Sequence, residues 1–196
     1  MMRSILRLYA AALVFVPVAA SAHPVITTAS GFEQGFAHPL SGLDHVLVMV
    51  TVGLLAARLG GPALWLLPST FLCAMAVAGV AGKAGVHVPF VEIGIGMSVI
   101  ILGLAVASEF SAPVLVATSL VGFFAIFHGH AHGTEMAASL SGLSYGLGFV
   151  CATVLLHATG VGLGLAVATT SQVSVRMIQV AGAAMATAGV AMVFSP

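Results

Sequence analysis

The sequence predicts an all-α integral membrane protein, six transmembrane helices behind a cleavable signal peptide. Three observations predict it. Hydrophobic residues make up 60% of the chain and charged residues 5%, whereas a soluble domain is about one-quarter charged. Mean hydropathy is +1.19. Several apolar runs reach the roughly 20 residues needed to cross about 30 Å of hydrocarbon.

The N-terminus has the three parts of a secretory signal. Arg3 and Arg7 supply positive charge, Ile5 through Val18 an apolar stretch, and Ala20-Ser21-Ala22 a small-x-small cleavage site. Cutting after Ala22 leaves a single membrane domain, residues 23–196, that begins at His23 outside the cytoplasm.

Six apolar segments follow. The first runs from about Pro39 to Ala57 and stops at Arg58. Pro39 suits a first helical turn, where its missing N–H is not needed. Gly60-Gly61-Pro62 makes a turn, and the second span runs from Ala63 to Gly82, ending at Lys83. After a loop with His87 and Pro89, the third covers Phe90 to Ala107. Glu109 to Pro113 turns the chain into the fourth, Val114 to His132. The fifth begins near Ala138 and reaches at least Ala158, since no charge stops it before Arg176. The sixth runs from Met177 to Phe194.

With the N-terminus outside, Arg58 and Arg176 fall on the cytoplasmic side and Lys83 outside, in line with positive-inside. Net charge is zero, so no basic footprint points to nucleic acid. Cys73 and Cys151 lie in apolar runs and read as small buried hydrophobes, not a disulfide framework. The pairs Gly129/Gly133, Gly142/Gly146 and Gly160/Gly164 have the spacing that lets helices approach closely in lipid.

Most of the polar chemistry sits in two short stretches. One is His38-Pro39-Leu40-Ser41-Gly42-Leu43-Asp44-His45; the other runs from Phe127 to Glu135 and holds His128, His130 and His132. Together they contain five of the eight histidines and two of the five acids. Ionisable groups inside a membrane are costly and mark functional sites. Imidazole with carboxylate is a ligand set for first-row divalent metals. On a helix continuing through Gly133, His128, His132 and Glu135 share one face, while His130 points away. His38 and His45, seven apart, share a face if the first span starts near His38. Asp44 either ligates or orients a ligating histidine. The first motif opens an inward span and the second closes an outward one, so both face outside.

His23, His130, Met49 and His157 are weaker candidates. Met49 offers a thioether one turn after His45, although packing is its plainer role. His157 lies alone in the inner half of the fifth span, as a waystation or a helix-helix hydrogen bond. His23 can chelate through its amine and ring if it becomes the N-terminus. Glu33, just ahead of the first span, can help draw in cations.

At these residues the chain resembles the HupE/UreJ family of nickel and cobalt permeases. The family's His-x5-Asp-His motif is matched by His38, Asp44 and His45 within HPLSGLDHVLVMVTVGLLAA. Its Phe-His-Gly-x-Ala-His-Gly-x-Glu motif is matched by FHGHAHGTE, and Gly148-Phe149 through Leu156-His157 is similar too. The resemblance covers the whole chain. It implies that His38, Asp44, His45, His128, His132 and Glu135 are the functional residues and that His130 falls on a variable position.

The expected function is that of a bacterial inner-membrane permease importing Ni²⁺ or Co²⁺ for maturation of a metalloenzyme such as urease or hydrogenase, with Zn²⁺ a further possible cargo. No prosthetic group and no enzymatic activity are expected. The partners implied are the divalent ion, the lipid bilayer and a second copy of the chain. The sequence contains no G-x-x-x-x-G-K-[ST] signature, so no ATPase function is evident. The competing readings are an intramembrane zinc-dependent hydrolase, in which the same ligands activate water, and a metal sensor that does not transport.

Overall fold

A computed structural model describes residues 30–108, 111–136, 142–168 and 172–194. The proposed signal peptide, His23 and Glu109 lie outside them. All regular structure among the described residues is helical: α1 Gly31–Ser41, α2 Leu43–Leu59, α3 Ala63–Lys83, α4 Val91–Ala107, α5 Val114–Glu135, α6 Gly142–Ala168 and α7 Gln172–Phe194.

The first predicted span is not one helix. It is the pair α1 and α2, bent by 82°. Helix starts upstream because Ser30 and Glu33 form a reciprocal capping box, in which the Ser30 Oγ accepts from the Glu33 N–H and the Glu33 carboxylate from the Ser30 N–H. Glu33 therefore caps α1. Pro39 falls near the end of α1, not at the start of a span, and its missing N–H weakens the turn just before the break. Gly42 is extended and opens α2. Gly60 and Gly61, both at positive φ, close α2 with a turn.

Among the described residues, four helices are long and apolar enough to cross a membrane: α3, α5, α6 over Gly142–Val167, and α7 over Val175–Phe194. The bent α1–α2 pair is a fifth if it counts as one span. Helix α4 is apolar but has only 17 residues, about 26 Å at 1.5 Å per residue.

Helix α2 is the centre of the bundle. Nearly every side chain from Leu47 to Ala57 is buried, as expected of a helix apolar on all sides. Helix α3 packs along α5, α4 along α7, and α6 along both α2 and α1. The α3–α5 pair is close because Gly129 and Gly133 face the α3 backbone at Met75 and Gly79, where a Cβ would collide. Gly160 and Gly164 likewise meet α2, at Val50 and Ala57. Gly146 meets nothing, and Gly142 meets only side-chain ends, of Lys83 and Met136. Two of the three glycine pairs thus build crossings. The alternating helices bring the ends of α1, α3 and α5 and the starts of α2, α4 and α6 to one end of the bundle.

Candidate metal centre

That end gathers the two polar motifs. Helix α5 does run through Gly133 to Glu135, so His128, His132 and Glu135 rise along one face. His130 points elsewhere, its Nε2–H donating to the Val86 carbonyl at 2.7 Å. Facing this stripe are His38 from the last turn of α1 and His45 from the first turn of α2. The shared-helix reasoning for His38 and His45 does not hold, because the break at Gly42 separates them. The bend itself brings their rings to 6.5 Å.

The rings form a continuous cluster. His38 lies 4.8 Å from His132, His132 4.3 Å from His45, and His45 5.1 Å from His128, between centroids. His38 Nε2 is 3.3 Å from a Glu135 carboxylate oxygen. His38, His132 and Glu135 each offer one ligand atom, all within 4.8 Å of one another. Two metal–ligand bonds of about 2.0–2.2 Å reach about 4.4 Å, so small side-chain shifts would let one ion hold all three. His38 and Glu135 are partly exposed beside a cavity of about 260 Å³ that Gln34, Ser41 and Tyr145 also line. His132, His45 and His128 are buried behind them. Burial thus increases along the cluster, from His38 and Glu135 at the solvent face to His128 inside the bundle.

The hydrogen bonds set which nitrogens are free. Asp44 Oδ1 lies 2.7 Å from His45 Nδ1. An ionised carboxylate only accepts, so Nδ1 carries the proton and Nε2 keeps its lone pair. This is the arrangement of a carboxylate orienting a ligating histidine. Asp44 sits in the first turn of α2. Gly42 makes room for this pair, since a Cβ there would lie 2.7 Å from Asp44 Oδ1. On the other side, Ser98 Oγ donates to the Ile95 carbonyl at 2.6 Å and so accepts from His128 Nε2–H at 2.8 Å. His128 Nδ1 is left with its lone pair. Among the described residues, His45 Nε2, His128 Nδ1 and both nitrogens of His132 are buried without a partner. Buried polar atoms are costly when unpaired, and a cation would satisfy these.

Three contributors are not evident from the sequence. Ser98 is a single hydroxyl in an apolar helix, and its only signal is that polarity. Tyr145 and Phe149, one turn apart on α6, wall the site: Tyr145 is 5.9 Å from the His38 ring and Phe149 4.3 Å from that of His132. The remaining candidates lie apart from the cluster or outside view. Met49 is wholly buried in the apolar core. His157 is buried much deeper in α6. His87 is exposed in the loop after α3. His23 lies outside the described residues.

The family profile described as HupE / UreJ protein matches residues 11–192. The chain belongs to the HupE/UreJ family. Protein HupE of Rhizobium leguminosarum bv. viciae is 46% identical over 178 residues, covering 90% of this chain and 91% of that protein. The resemblance drawn from the two motifs therefore holds along nearly the full length, and the HupE/UreJ chain described here carries both motifs at one end of its bundle. No solved structure matches.

Proposed function

We propose that this HupE/UreJ chain is a bacterial inner-membrane permease that imports Ni²⁺, with Co²⁺ as second cargo, to supply a metalloenzyme such as urease or hydrogenase. The observation that carries this reading is the meeting of His38, His132 and Glu135 within 4.8 Å, backed by His45 and His128 with oriented, unpartnered nitrogens. In this reading the signal peptide is removed, the six apolar segments all cross the membrane, and the cluster faces the periplasm.

His38 and Glu135 capture the hydrated ion at the mouth. Their carboxylate and imidazole replace part of its water. The ion then passes to His132, His45 and His128, where the Asp44 carboxylate offsets its charge. Imidazole suits nickel and cobalt, and carboxylate reduces the cost of bringing a dication toward hydrocarbon. An inward divalent cation gains about 4.6 kcal/mol per 100 mV of membrane potential, two charges at about 2.3 each, so import down the potential needs no ATPase in this chain.

The test is initial uptake of labelled Ni²⁺ in cells lacking other nickel importers. The wild-type chain is expected to confer saturable uptake. His132→Ala should abolish it at low external metal, and His130→Ala should leave it nearly intact, at matched membrane expression. Equal loss in both variants would contradict the assignment, as would a wild-type chain that confers no uptake of any divalent metal.

A further inference from the structure

A second buried histidine stands beyond the cluster. His157 of α6 is 2% exposed, and among the described residues neither ring nitrogen has a hydrogen-bond partner. A structural histidine at a helix crossing would bond across the interface, since leaving both nitrogens dry is costly. Its position is specific. The Phe71 ring of α3 touches both His128, at 5.9 Å, and His157, at 5.2 Å between centroids. At about 1.5 Å per residue, His128 lies about 10 Å along α5 from Glu135, Phe71 about 18 Å along α3 from Lys83, and His157 about 22 Å along α6 from Gly142. Glu135, Lys83 and Gly142 all belong to the site end. The order inward is therefore cluster, Phe71, His157.

Two more features continue the line. Thr153, one turn before His157 on the same face, is fully buried, and its hydroxyl donates to the Phe149 carbonyl at 3.0 Å. Its oxygen lone pairs remain available. Gly164, two turns beyond His157 on that face, lines a cavity of about 430 Å³ at the opposite end of the bundle, with Leu54, Ala57, Arg58, Val106 and Gln179. The crossing of α2 on α6 runs along the same stripe, with Gly53 against the His157 carbonyl and Gly160 against Val50.

We infer that His157 is a second cation-binding point, weaker than the cluster and separated from it by Phe71, that receives the divalent ion before release into the cavity at the far end. This rests on the permease reading and adds an inner step to it. One imidazole and a hydroxyl, completed by water, make a poorer ligand set than several histidines with carboxylates. Passage requires that kind of site, since an ion held too well does not leave.

The test is Ni²⁺ binding to the purified full chain, with His157→Leu and His157→Gln beside the wild type, and anomalous scattering from Ni²⁺-loaded wild-type protein. The wild type should bind a tight and a weak ion. Both variants should lose the weak one, keep the tight one with its affinity unchanged, and slow uptake by about tenfold or more, as loss of a metal-site group does. Retained tight binding shows that the variants are folded. Should both misfold, the anomalous signal decides, with density expected beside His157. Weak binding that survives in a folded variant, or wild-type density at the cluster alone, would overturn the inner site and leave the permease reading standing. A cluster that holds no ion would instead overturn the permease reading.

Discussion

At the residue scale, Asp44 decides what His45 can do. Its carboxylate accepts a hydrogen bond from Nδ1–H and leaves the Nε2 lone pair free within the ring cluster that includes His132 and His128. Asp44→Ala removes both the orientation and a negative charge beside four imidazoles. Uptake at limiting nickel should fall by about 10- to 100-fold, the range for losing a group that orients a metal ligand. Asp44→Asn keeps an oxygen that accepts from Nδ1–H and should fall between the two. An Asn variant as damaged as Ala would mean that the charge matters and the orientation does not. Much of this scale is legible in the sequence. The spacing of His128, His132 and Glu135 places them on one face because α5 stays helical through Gly133, and the same geometry turns His130 away. Ser98 is not legible, because one serine in an apolar run has no pattern to betray it, and its role depends on α4 lying beside α5.

At the element scale, the break at Gly42 and the α3–α5 crossing build the site. The sequence contains both signals for the break, Pro39 and Gly42, but Pro39 reads equally well as a helix start. The capping box of Ser30 and Glu33 makes it a helix end. The consequence is large: His38 approaches His45 across an 82° bend, not along a shared face. The crossing depends on Gly129 and Gly133, whose missing side chains let α5 lie on the α3 backbone at Met75 and Gly79. Gly133→Ala should force the helices apart, cost about 1–3 kcal/mol of stability, and displace His132 enough to weaken nickel binding. Gly146→Ala, with open space around it, is the control and should change neither. Thermal unfolding in detergent, with nickel affinity measured on the same samples, checks both. A Gly133→Ala chain as stable as Gly146→Ala would show that the close crossing is not needed.

At the scale of the whole molecule, the alternation of helices carries residues from opposite halves of the chain to one end, with Asp44, Glu135 and Lys83 there and Arg58 and Arg176 at the other. That arrangement follows from the order of apolar runs and was legible. The tilt of α1 against α6, which brings Tyr145 to the cluster, was not, since it arises from glycine contacts between distant segments such as Gly35 with Tyr145 and Gly148 with Phe32. Reporter fusions after Arg58 and Arg176 should place both in the cytoplasm; a periplasmic signal at either would put the cluster on the wrong face for import. The central claim is that the two motifs form a single cation site. Nickel-binding stoichiometry and affinity of the purified chain test it most directly, with His38→Ala, His132→Ala and the double variant. Residues that share one ion are strongly non-additive, so each single change should remove the same tight ion and the double change should remove nothing more. If each single variant lost a different ion, with the double variant losing both, the motifs would be separate sites and the account would be wrong.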